Sequence, residues 1–139
     1  MAHSKARPKS RKRALDILYA AELRRQEPVA ALEQLIADGE APHNPYTQTL
    51  VRGVAEHAAE IDVLLARHSQ GWTIERMPAI DRTALRIAVF EMLFGAEEIP
   101  APVAIDEAVK LVRDLSTDDS PGFVNGLLGA IAKSAALRS

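Results

Sequence analysis

The chain has 139 residues, 47% of them apolar and 26% charged, a composition that suits one globular domain with a real core. It has no cysteine, which excludes disulfides and thiolate metal sites. No apolar run reaches membrane length and none follows the basic N-terminus as a signal sequence would, so a soluble cytoplasmic protein is expected. The formal net charge of −2 hides an asymmetry: Lys5, Arg7, Lys9, Arg11, Lys12 and Arg13 fall within the first fifteen residues, which hold no acid. The rest of the chain is acidic. Such a basic arm seeks nucleic acid or an acidic partner, or serves only as a solubilising tail.

Residues 1–9 read as a flexible arm. A helix is expected from Ser10 as N-cap, with Ala14, Ile17, Leu18 and Ala21 on one face. Arg11, Lys12 and Arg13 then occupy its first turn, where the helix dipole favours anions. A local rule broken there suggests that the cations serve something else. Pro28 opens a second helix, with Val29, Leu32, Leu35 and Ile36 inward. A loop over 39–45 leads to a third helix, expected to run unbroken from Pro45 to His68 with Leu50, Val51, Val54, Ala58, Ile61 and Leu65 on one face. Gln70-Gly71 ends it, and 72–77 is a short turn or helix leading into the next element, with Trp72 as a core cap.

Ile80 to Phe94 is the centre of the pattern. It is apolar almost all round, as a helix buried on every side must be, with Phe90 and Phe94 in the core. Arg86 lies within it, so its charge needs a partner; Asp106 and Glu107 are candidates, Glu107 first. Two prolines at 99–102 break the helix. The next helix carries Ala104, Ala108, Leu111, Val112 and Leu115 inward. A dense turn at 116–122 precedes a last helix, with Ser120 ahead of Pro121 suited to cap it. Gly126 and Gly129 lie inside that helix, each costing roughly 1 kcal/mol against Ala when exposed; close packing of a neighbour or ligand would offset this. No stretch alternates with period two. The fold class is all-α, with about six or seven helices in one domain over 10–139. The loop at 69–78 is expected to divide N-terminal helices over 10–68 from C-terminal ones over 79–137.

The chemistry of an enzyme is missing from the pattern. GFVNGLLG lacks the strand and lysine of a phosphate loop. His3, His43, His57 and His68 lack metal spacing and read as surface residues. The acidic pairs Glu97-Glu98, Asp106-Glu107 and Asp118-Asp119 have no nucleophile or base at a recognisable distance. No catalytic activity, metal or cofactor is expected.

Three blocks carry a resemblance. They are RTALRIAVFEM at 82–92, IP at 99–100 followed by VAIDEAV at 103–109, and Asp119-Ser120 followed by FVNGLL at 123–128. Together with the basic cluster ahead of Ala14 and Leu18-Tyr19, they resemble the bacterial transcription antitermination factor NusB family over nearly the whole chain. The resemblance implies an all-α fold of two small helical subdomains. It implies binding to single-stranded boxA RNA in ribosomal RNA leaders, with the ribosomal protein NusE as partner, within an RNA polymerase antitermination complex that reads through terminators. It maps Lys9, Arg11, Lys12 and Arg13 to phosphate contact, Tyr19 and Phe123 to RNA-facing rings, Asp119 and Asn125 to polar positions near RNA, and Asp81 to the partner surface. Pro121-Gly122 departs from the basic residues expected on that edge. The residues by themselves leave Tyr19 and Phe123 open between core and RNA surface, and Asp119 between cap and RNA contact. A helical protein-interaction module, or an RNA-binding domain related to that of ribosomal RNA methyltransferases, are the other readings. The sequence leaves a homodimer open.

Overall fold

The structure, a computed structural model, describes residues 7–40, 44–97 and 99–138. His3 and His43 lie outside these, as do Glu98 and the arm up to residue 6. The described residues form seven α-helices and no strand: α1 (Arg7–Leu23), α2 (Pro28–Ala37), α3 (Pro45–Glu56), α4 (Ala58–His68), α5 (Ala79–Val89), α6 (Ala101–Leu115) and α7 (Ser120–Arg138). None of them is long and apolar enough to cross a membrane.

Two compact units divide between Glu56 and His57. The first holds α1, α2 and α3, each packed on the other two. Leu15, Leu18, Leu32, Leu50 and Val51 fill its interior. The second unit packs α5 against α4, α6 and α7, around Ile61, Leu65, Leu85, Ile87, Val89, Leu128 and Ile131. The division falls a helix earlier than the 69–78 loop because α4 shares its buried face with α5 and α7. The long helix expected over 45–68 is correspondingly two helices. His57 stands between them with φ −105° and ψ 18°, and its ring stacks on Phe94 at 4.7 Å. His57 is thus half-buried rather than a surface residue, and His68 turns its Nδ1 to the Leu64 carbonyl at 3.0 Å. Ala58, expected inward, is exposed.

The central helix is buried as its composition requires: Ala84, Leu85, Ile87, Ala88 and Val89 are each at most 2% exposed. Its last turn, Phe90–Phe94, widens to a π-helix, closed by the Gly95 N–H on the Phe90 carbonyl at 2.9 Å. Phe90 stays in the core, whereas Phe94 is half-buried and Leu93 is 38% exposed. Arg86 meets Asp62 of α4 through two bonds of 2.9 Å. This bidentate partner is a residue the sequence pattern did not nominate. Asp106 and Glu107, the nominated acids, both pair with Lys110 at 3.2 and 3.5 Å.

α1 begins at Arg7, ahead of the expected cap. Ser10 is inside the helix and 2% exposed, and its carbonyl accepts the Thr47 hydroxyl at 3.1 Å. In α2 the cap is Glu27, whose carboxylate accepts the Val29 and Ala30 N–H groups. Of its expected inward residues only Leu32 is fully buried, while Ile36 is 38% exposed. Leu115 likewise reaches water at the end of α6. Gly126 and Gly129 have no packed neighbour: a Cβ at either would meet open space.

Candidate nucleic-acid interface

Each unit carries part of what the sequence nominated. In the first unit the basic cluster lies on the opening turns of α1. Lys9 and Arg13 are exposed. Arg13 reaches the Glu40 carbonyl at 3.4 Å, and Lys12 is paired with Asp16 one turn on at 2.9 Å. Arg11 differs from its neighbours, being only 4% exposed. Tyr19, two turns further, is half-buried. A half-buried ring keeps one edge in solvent, so Tyr19 belongs wholly neither to core nor to surface.

In the second unit the decisive local geometry follows α4. Gln70 and Gly71 both take positive φ, 52° and 96°, a pair of left-handed residues that reverses the chain. The buried Ser69 accepts the Trp72 N–H on its carbonyl at 3.3 Å and returns its hydroxyl to the Trp72 carbonyl. This tight turn lifts the indole out of the core. Trp72 is 52% exposed, not the core cap expected of it. Arg82 holds the next stretch, donating from one Nη to the Ile74 and Met77 carbonyls at 3.0 Å each. The Trp72 ring leans on Phe123 of α7, with centroids 6.0 Å apart and planes tilted by 58°.

A cleft opens on either side of this ring pair. One, of about 280 Å³, is lined by Trp72, Pro78, Asp81, Thr117, Asp119, Ser120 and Phe123. The other, of about 300 Å³, is lined by Ser69, Gln70, Trp72, Gly122, Phe123 and Gly126 among others. Asp81 forms the buried floor of the first. It is 1% exposed and accepts the Ser116 hydroxyl at 2.7 Å. Ser116 accepts from Ser120 at 3.1 Å, and Ser120 meets the Thr117 N–H and hydroxyl. Ser120 therefore knits the 116–120 turn instead of capping α7. The Asp119 carbonyl accepts the Phe123 N–H at 3.2 Å, while its exposed carboxylate has no partner among the described residues. The cleft thus sets aromatic faces beside an unengaged anion and a chain of hydroxyls.

The structure brings Asp81, Asp119 and Phe123 to one cleft and leaves Asn125 outside it. Two residues beyond Phe123 on a helix, Asn125 points to a different face and is exposed. Trp72 is the residue that sequence reasoning missed. The signal was the Gln70-Gly71 break immediately before it, which predicts a sharp turn rather than a buried segment. Among the described residues no group of acids and histidines could hold a metal ion.

The NusB family model matches residues 8–133. The chain belongs to the NusB family. It is 57% identical over 128 residues to the transcription antitermination protein NusB of Nocardioides sp., covering 92% of this chain and 94% of that one. Its fold matches a crystal form of T. maritima NusB with TM-score 0.82 at 32% identity, covering 94% and 93% of the two chains. It matches a chain from a crystal structure of the antitermination factors NusB and NusE in complex with dsRNA with TM-score 0.81 at 27% identity, covering 95% and 99%. NusB proteins are transcription antitermination factors and not enzymes. The all-α NusB fold follows from the same comparisons.

Proposed function

We propose that this chain binds single-stranded boxA-type RNA of ribosomal RNA leaders together with NusE, and that the assembly helps RNA polymerase read through terminators. The observation that carries the reading is the ring pair of exposed Trp72 and half-buried Phe123, flanked by two clefts. Single-stranded RNA is recognised by aromatic faces that accept unstacked bases, by polar groups at base edges, and by cations along the phosphates. The second unit supplies the first two. Phe123 and Trp72 give the faces, and Asp119 with the 116–120 hydroxyls gives the edge contacts. Asn125 and Tyr19 extend polar and aromatic contact beyond the cleft. The first unit supplies the cations Lys9, Arg11, Lys12 and Arg13, with Lys9 and Arg13 outermost. Asp81 is buried beneath the cleft, so its part in partner binding is indirect, through the 116–120 turn that it anchors. The solved complex of related NusB and NusE with dsRNA supports NusE and RNA as partner classes.

The test is equilibrium binding of a boxA-like RNA and a scrambled strand across salt, with and without NusE. Each neutralised phosphate contributes about −0.7 to the log–log salt slope for a single strand. Preference for boxA that grows with NusE, with a slope of several phosphates, is the expected result. Binding of NusE with no RNA affinity in either condition would reduce the chain to a protein-interaction module.

A further inference from the structure

We propose that Tyr46 is the positioning residue of the basic arm. Its ring gathers Arg7 and Arg11 and so fixes the opening of α1 as a helix that turns Lys9 and Arg13 outward. The inference deepens the RNA-binding reading and rests on it for its functional consequence.

The opening of α1 should be unstable by itself. Its first turn carries cations and no acid, against the helix dipole. Ser10, the expected cap, is buried within the helix. Something else must hold the turn, and the first turn of α3 lies against it. The Arg7 guanidinium carbon sits 3.9 Å from the Tyr46 ring centroid, and that of Arg11 sits 5.9 Å away. Both fall within the roughly 6 Å reach of a cation–π interaction. Arg7 and Arg11 are four residues apart and share one helix face, so one ring serves both. Lys9, between them, points elsewhere and is exposed.

Tyr46 is itself well anchored. Its N–H donates to the Asn44 side-chain oxygen at 2.9 Å, ahead of Pro45 at the start of α3. The adjacent Thr47 hydroxyl bonds the Ser10 carbonyl, which pins the two turns together beside the ring. Arg11 is nearly fully desolvated, the setting in which a cation–π contact is strongest. The four nominated cations therefore divide. Arg11, with Arg7, orders the arm; Lys12 pairs with Asp16 on the same helix; Lys9 and Arg13 face the phosphates from a preformed helix. Binding then loses less to the ordering of a flexible segment.

The experiment compares Tyr46→Leu, Tyr46→Phe and Arg7→Gln in the full chain. Amide hydrogen exchange is read at residues 11–14, and affinity is read with a boxA-like RNA. Tyr46→Leu should speed exchange in that turn and weaken RNA binding, each by roughly three- to thirty-fold, the span of a cation–π contact expressed as an equilibrium. Tyr46→Phe keeps the ring and should retain both properties. Arg7→Gln leaves the core untouched and should loosen the same turn, which covers the case of Tyr46→Leu unfolding the unit. Unchanged exchange in Arg7→Gln, or a Tyr46→Phe variant as loose as Tyr46→Leu, would overturn the proposal. If the unmodified chain binds no RNA, the functional reading fails, while the exchange data still decide the role of Tyr46.

Discussion

Trp72 is 52% exposed and Phe123 half-buried, where the hydrophobic effect alone would bury both. The exposure of Trp72 follows from the left-handed Gln70-Gly71 pair just before it, so it is a property of the turn and not of the ring. Replacing Trp72 by Ala should therefore leave the melting temperature nearly unchanged, and replacing half-buried Phe123 should lower it only modestly. RNA affinity should fall by roughly 1–3 kcal/mol, the range for a stacking ring. A large drop in melting temperature with intact affinity of the folded fraction would place the ring in the core. Arg86 and Asp62 make the opposite case, an ion pair with side chains 22% and 32% exposed. A double-mutant cycle between Arg86→Ala and Asp62→Ala should give coupling on the order of 1 kcal/mol. Strict additivity would show that the bidentate geometry does not persist in solution. Sequence spacing pointed to a paired Arg86 correctly, because a charge on an apolar helix demands one. It could not choose Asp62 over Glu107, since that depends on how α4 lies along α5.

At the scale of elements, the arm and the last helix yield contrasting tests. Lys9→Ala with Arg13→Ala should flatten the salt slope of RNA binding without loosening α1. Arg11→Ala should loosen α1, since its guanidinium is buried. If all three changes alter only the slope, Arg11 is a phosphate contact after all. In α7, Gly126→Ala and Gly129→Ala should each stabilise the fold by up to about 1 kcal/mol, the helix-propensity difference, because open space receives the new methyl. Gly126 alone lines the cleft beside Phe123, so only Gly126→Ala should also lower RNA affinity. Equal RNA affinity in both variants would remove the Gly126 side of the cleft from the interface. The helices themselves were legible in the sequence wherever an apolar face ran for several turns, as in α5, α6 and α7. The break at His57 was not, because the apolar period continues across it and the junction is marked by the backbone conformation and ring contacts of His57. The π-helical turn was hidden for a related reason: Met92, Leu93 and Phe94 are apolar whichever face they occupy.

Across the whole molecule, the sequence's charge asymmetry maps onto the two units. The first carries the basic arm, and the second carries the cleft with its free carboxylate at Asp119. The same partition distributes the chromophores. The single tryptophan stands beside the cleft in the second unit, and both tyrosines, Tyr19 and Tyr46, lie in the first. Intrinsic fluorescence thus carries two separate addresses without any label. Indole emission should be that of a solvent-facing ring in the free protein and should be quenched as a base settles against it. Tyrosine emission should follow the state of α1 and the turn that holds the arm. Titrating RNA while recording both colours would tell in which order the arm and the cleft engage the strand.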